Sequence, residues 1–129
     1  VIMPVVKRYN KDEFDIVYID TNDVLYMFSH KSSVLYQTRQ GTFSKISTFE
    51  EEERFFLEQG FQKVDRCYLV QMEKAEFYDE DTQSLYFDPL PTSQNSLKAP
   101  VSRTHRKDIA EVPTTSSYIC QQKLANANG

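Results

Sequence analysis

Apolar and polar positions along the chain fall into short apolar runs separated by polar clusters, with one longer stretch of helical character. Residues 1–13 mix apolar and charged types without clear period, with Pro4 near the start, and read as an irregular lead-in. Residues 14–19, FDIVYI, are β-branched and aromatic and predict a first strand, followed by turn chemistry in DTND, residues 20–23. Residues 24–28, VLYMF, show no polar alternation, the pattern of a strand buried on both faces. SHKSS, residues 29–33, is then the polar tip joining it to a returning strand at 34–38, which turns at 39–41 into Thr42 and Phe43.

Residues 47–59 carry the main helix. Ser47 with Glu50 three positions on forms a capping box, the acids at 50–53 suit the positive end of the helix dipole, and Gly60 stands where the helix should end. Its apolar face is thin, Ile46, Phe49, Phe56 and Leu57, and the acids read as a solvated face. Residues 60–72, GFQKVDRCYLVQM, follow directly and combine apolar anchors with the cations Lys63 and Arg66; on pattern alone they form a buried strand with solvated tips. Segments 74–78 and 84–88 flank DEDTQ as a hairpin, and a loop with Pro89 and Pro91 follows. Ser102 is placed to cap a short helix over 103–111, with Ile109 toward the core and Pro113 ending it; the polar tail beyond lacks period and reads as flexible or loosely docked.

The 129 residues suit one domain with one modest core. Nine Phe and eight Tyr against three Gly and no Trp favour a packed, strand-rich chain over a disordered one. The fold class expected is therefore α+β, mostly β: short antiparallel strands and hairpins with one main helix and a short C-terminal helix. Two cysteines, Cys67 and Cys120, form no disulfide framework or metal pattern and suggest a reduced, cytoplasmic setting. Cys67 reads as a small buried filler ahead of a redox-sensing thiol. No apolar run reaches membrane-spanning length and no signal peptide opens the chain.

The net charge of −4 argues against a polyanionic partner, but its distribution matters more than its sum. Acids cluster at 50–53 and again between Glu73 and Asp81, whereas 103–107 carries Arg103, Arg106, Lys107 and His105 with no acid. Because phosphates respond to the field within roughly 8–10 Å at ordinary ionic strength, a basic edge and a separate acidic back would suit a duplex. The acidic tip at 79–83 is expected to point away from such a partner. An enzyme would have to use His30, His105 and scattered carboxylates; with no nucleophile elbow, Gly-rich phosphate loop, HExxH or CxxC, binding is favoured over catalysis, and no cofactor or metal is implied.

Two phrases sharpen this picture: Phe61, Val64, Arg66, Cys67, Tyr68, Leu69, Val70 and Gln71 behind the helix, then Val101, Ser102, Arg103, Arg106, Lys107 and Ile109 behind the hairpin. In order and separation they resemble the LytTR family of bacterial DNA-binding domains, the type that ends the LytR, AlgR and AgrA response regulators. The resemblance implies a LytTR-like domain over residues 23–112, preceded by a lead-in and first strand at 1–22 and followed by a tail at 113–129. It implies sequence-specific binding of double-stranded DNA in transcription regulation, with loops rather than a recognition helix entering successive major grooves. Base contacts would come from His30, Lys31 and Ser32 in the SHKSS loop, from Arg66, and from Arg103 or Thr104. Lys63, Arg106, Lys107 and Lys31 would take phosphates. Arg66, Cys67 and Gln71 stand where relatives have Asn or Ser at some positions, so the preferred sequence should differ from theirs. Direct repeats, a homodimer on DNA and an upstream receiver or sensor domain are the partners implied; the chain opens on Val1 rather than Met, as a piece of a longer regulator would.

On the residues alone, Arg66 reads as a surface ion pair with Asp65 or a helix acid, and the cations at 103–107 as solvated charges in a first helical turn, where they oppose the dipole. The rival function is a LytTR-like protein-interaction or ligand-sensing module that has lost DNA binding.

Overall fold

Two adjacent valines, Val5 and Val6, are fully buried, which requires a strand covered on both faces. They lie in β1 (Ile2–Arg8), which pairs antiparallel with β2 (Phe14–Asp20) over its whole length, Ile2 opposite Asp20 and Arg8 opposite Phe14. The expectation of an irregular lead-in is thereby corrected. Burial on both sides erased the alternation that would have revealed the strand. The computed structural model describes residues 1–89 and 96–115, and the chain divides between Gln59 and Gly60 into two compact units.

In the first unit a 3-10 turn (Thr21–Asp23) leads to β3 (Tyr26–His30), β4 (Ser33–Thr38) and β5 (Gly41–Ser44). The five strands form one antiparallel sheet in the order β2-β1-β5-β4-β3, with Val6 opposite Ser44 closing β1 on β5. Strand β3 is at the edge and every one of its residues is exposed, so the doubly buried strand expected at 24–28 is not there. Its apolar composition resembles an interior strand, but sheet order puts β1 in the interior and β3 at the edge.

Helix α1 (Phe49–Glu58) starts one residue later than its pattern suggested. Thr48, not Ser47, is the cap: its hydroxyl accepts from the Glu51 N–H at 3.1 Å while Glu51 Oε1 accepts from the Thr48 N–H at 3.2 Å and the Ser47 N–H at 3.0 Å. The other carboxylate oxygen of Glu51 takes a 2.9 Å bond from Arg8 Nη2. Glu51 is buried rather than solvated, correcting the reading of 50–53 as a water-facing run. Burial pushes its carboxyl upward, but the Ser47 and Thr48 N–H groups and Arg8 outweigh that and hold it below the ordinary carboxylate value. The face differs as well. Phe55 and Ile46 pack on Val6, Phe14 and Ile16, whereas Phe49, Phe56 and Leu57 are exposed. Arg54 donates to the Phe14 carbonyl at 3.0 Å with its guanidinium 4.4 Å from that ring, fixing the helix to β2.

The second unit begins with the hairpin β6 (Gln62–Asp65) and β7 (Tyr68–Val70), then a 3-10 turn (Met72–Lys74). Strands β8 (Phe77–Asp79), β9 (Ser84–Tyr86), β10 (Lys98–Pro100) and β11 (Thr114–Thr115) form a sheet ordered β10-β9-β8-β11. Its core joins Val64 and Val70 to Tyr78, Leu85, Ala99, Val101, Ile109 and Val112. The segment after Ser102 is a 3-10 helix (Arg103–Ile109), shorter than expected, with Ile109 buried as its pattern required. The tail is not loose at its start: Thr114 and Thr115 pair in parallel with Tyr78 and Asp79, and the Tyr78 N–H donates to the Pro113 carbonyl at 2.8 Å. Val112, buried just before, anchors that return. The rest of the tail, with Cys120, and most of the proline-containing loop, residues 90–95, lie outside the described residues. The architecture is α+β and mostly β. No helix among the described residues is long and apolar enough to cross a membrane.

Candidate nucleic-acid interface

The SHKSS segment is tighter than a five-residue loop. His30 pairs with Ser33, so Ser29, His30 and Ser33 belong to strands and only Lys31 and Ser32 turn the chain. Both have positive φ, 49° and 66°, as in a type I′ turn, the two-residue connection whose twist matches that of paired strands. That turn favours Asn-Gly; a lysine and a serine there cost about 1–2 kcal/mol each. The result is a narrow, exposed apex carrying a cation and a hydroxyl, with His30 one step behind it.

In the second unit the connection between β6 and β7 is also two residues long. Asp65 pairs with Tyr68, leaving Arg66 and Cys67 at an exposed tip. Cys67 is thus a surface thiol and not the buried filler expected. Lys63 is half-buried opposite Leu69, where the ladder shifts register before Asp65, while Val64 points into the core.

The second cationic cluster is joined to this hairpin by one backbone bond. The Ser102 N–H donates to the Val64 carbonyl at 2.8 Å, which sets the start of the 3-10 helix, with exposed Arg103 and Thr104, beside the strand leading to Arg66. Ser102 occupies the cap position without capping the backbone; its hydroxyl lies 3.2 Å from that of Thr104 instead. Because the helix ends at Ile109, Arg106 and Lys107 fall in its last turn, where positive charge is favourable; among the cations, the expected conflict with the dipole holds for Arg103. His105 Nδ1 is 3.1 Å from Asp108 Oδ2, three residues on.

Arg106 departs most from expectation. Its Nη2 donates to Glu80 Oε1 at 2.6 Å and its guanidinium lies 5.4 Å from the Tyr78 ring centroid. Glu80 belongs to the acidic tip that was expected to stand apart from the basic edge, yet it neutralises one of that edge's cations. Sequence reasoning missed Glu80 and Tyr78 because they lie far from Arg106 along the chain and share no pattern with it. A concavity of about 470 Å³ in this unit is lined by Glu73, Asp108 and Glu111 among others, an unsuitable place for phosphate. The features suited to a polyanion are therefore the projecting turns and the first turn of the 3-10 helix.

Of the nine residues singled out from sequence, Lys63, Arg66, Arg103, Thr104, Arg106 and Lys107 lie in the second unit, and His30, Lys31 and Ser32 at one apex of the first. Compared with known families, residues 15–113 match the LytTr DNA-binding domain, a span running from β2 to Pro113 and including both cationic turns and the 3-10 helix. No curated protein matches the chain.

Proposed function

The chain belongs to the LytTR family of DNA-binding domains, and on that premise we propose that it binds duplex DNA sequence-specifically as the output domain of a bacterial transcriptional response regulator. The match across residues 15–113 carries this reading. The form of the cationic turns supports it. A two-residue hairpin tip is as narrow as a β-ribbon becomes, and a two-stranded ribbon fits the B-DNA major groove. On this reading the Lys31–Ser32 apex, with His30 behind it, and the Arg66 tip enter successive major grooves. Arg66 and Arg103 supply planar forks for guanine edges, and Ser32 and Thr104 supply hydroxyls. Lys63 and Lys107 sit on phosphates, joined by Arg106 when Glu80 releases it. Two such domains side by side would read direct repeats, within the cytoplasm, under control of a phosphorylated receiver domain in the same regulator.

Selection from a random duplex pool, followed by titration of the enriched sequence with wild type and Arg66→Ala, tests the proposal. An enriched repeat is expected, with Arg66→Ala losing about 1–3 kcal/mol of discrimination at one base pair while non-specific binding survives. Absence of any enrichment, with no binding at low salt, would refute it. That outcome would favour the second reading, a protein-interaction or ligand-sensing module. The net charge of −4 and the Glu80–Arg106 pair are the observations on its side.

A further inference from the structure

The β3–β4 hairpin is not the only chain at the Lys31–Ser32 end of the first unit. Strand β5 runs antiparallel to β4, so its last residue, Ser44, lies opposite Leu35 near that end. The ladder then goes one rung further, since the Lys45 N–H donates to the Val34 carbonyl at 3.0 Å. Lys45 thus stands beside Val34, with Ser29 of β3 on the other side of that residue.

The pleat decides which way this lysine faces. Ser44 shares a face with Leu35 and Val6, and Ile46 packs on Val6, Phe14 and Ile16, so both neighbours of Lys45 belong to the face that carries α1. Because successive residues of an extended chain alternate, Lys45 falls on the opposite face, away from the glutamates of the helix. It is exposed, and no acid is paired with it among the described residues. Its ammonium is therefore available to an outside anion.

We infer that Lys45 is a further phosphate contact of this domain, gripping the rim of the same groove that the Lys31–Ser32 apex enters. This role rests on the DNA reading above and adds to it a residue outside both cationic phrases. Groove depth supports it. At a strand rise of about 3.4 Å per residue, Val34 and Lys45 lie roughly 8 Å behind the middle of the turn. The major groove of B-DNA is about 8.5 Å deep, so when the apex touches base edges this rung is level with the phosphates. The grip is one-sided: Lys45 lies on the β5 flank, whereas the β3 flank of the same rung offers the uncharged Ser29. One backbone strand of the duplex takes the ammonium, a contact that fixes the position of the apex without reading sequence.

Arg39 supplies the control. It is exposed in the β4–β5 turn, at the other end of β4 and about 20 Å from the apex, beyond the range of screened charge. Wild type, Arg66→Ala, Lys45→Ala, Lys45→Arg and Arg39→Ala are titrated at several salt concentrations on the duplex that wild type enriches. Lys45→Ala is expected to weaken binding about three- to tenfold near 0.1 M salt, equally on enriched and unrelated duplexes, and to lessen the log–log salt slope by about 0.9. Lys45→Arg keeps the charge and the slope, and Arg39→Ala, which removes one charge far from the apex, leaves both affinity and slope unchanged. Single methylphosphonates placed along the duplex then locate the contact: one position weakens wild type and is without effect in Lys45→Ala. If Arg66→Ala relaxes the preference while Lys45→Ala keeps the full slope, the domain binds DNA and Lys45 takes no part. Equal losses with Lys45→Ala and Arg39→Ala overturn the assignment too, because net charge rather than contact would then be responsible. Failure to enrich any duplex overturns it together with the DNA reading.

Discussion

At 2.6 Å, the bond between Arg106 and Glu80 joins two side chains that are both about half exposed, so it is screened by salt and easily exchanged for another anion. A phosphate approaching Arg106 must displace Glu80. Glu80→Gln is therefore expected to raise DNA affinity about two- to fivefold at low salt, and Arg106→Ala to abolish that gain when the two are combined; fluorescence anisotropy on a labelled duplex measures both. No gain with Glu80→Gln would mean that Arg106 stays on Tyr78 and never reaches DNA. Arg106 was legible from its place in a cationic phrase, but its partner was not. Glu80 is 26 positions away in a different hairpin, and only the packing of the 3-10 helix near β8 brings the two charges together.

Helix α1 shows how an element's boundary is chosen. The sequence offers two equivalent capping boxes, Ser47 with Glu50 and Thr48 with Glu51, because four consecutive glutamates follow two hydroxyl residues. Arg8 on β1 selects the second by binding the carboxylate of Glu51, with its guanidinium 4.9 Å from the Phe14 ring centroid. Glu51→Ala is expected to destabilise the fold by about 2 kcal/mol, through loss of the cap and of a charge-assisted bond, whereas Glu50→Ala should cost little; urea unfolding compares them. The pH dependence has a defined sign. Since the folded carboxyl of Glu51 titrates below its unfolded value, its contribution is complete above the unfolded value and is lost as pH falls through the folded one. Replacing it with Gln should therefore flatten the acid limb of the stability profile, as measured by unfolding between about pH 2 and pH 6. Strands β1 and β3 teach a related lesson: apolar content marked the β3 segment as a buried strand and left the β1 segment read as an irregular lead-in, but place in the sheet order, which depends on three other strands, decided which was buried.

For the molecule as a whole, a net charge of −4 is compatible with duplex binding only if the cations act locally. Six of them, Lys31, Lys63, Arg66, Arg103, Arg106 and Lys107, are the proposed contacts, joined by Lys45. If the four assigned to phosphate, Lys31, Lys63, Arg106 and Lys107, all engage, log affinity should fall with log salt at a slope of about −3.6 before the contribution of Lys45, and each lost phosphate contact should lessen the slope by about 0.9. A titration at several salt concentrations tests this; a slope near zero would be incompatible with a phosphate-based interface. The cores of the two units differ in kind. The first packs β1 and β2 against a helix, whereas the second gathers turns and short strands around Val64 and Leu85.

What the sequence alone determined is what local chemistry suffices to determine. It specified the mostly-β class, the main helix and the β8–β9 hairpin, and it identified the family through two short phrases whose residues are adjacent along the chain. The tertiary structure decided everything that depends on partners distant in sequence. It made β1 an interior strand and β3 an edge, because burial belongs to a place in a sheet and not to a run of residues. It moved the helix cap by one residue through Arg8, exposed Cys67 on a turn, and joined the acidic tip to the basic edge. Each is an outcome of non-local pairing, which no period or motif along the chain encodes.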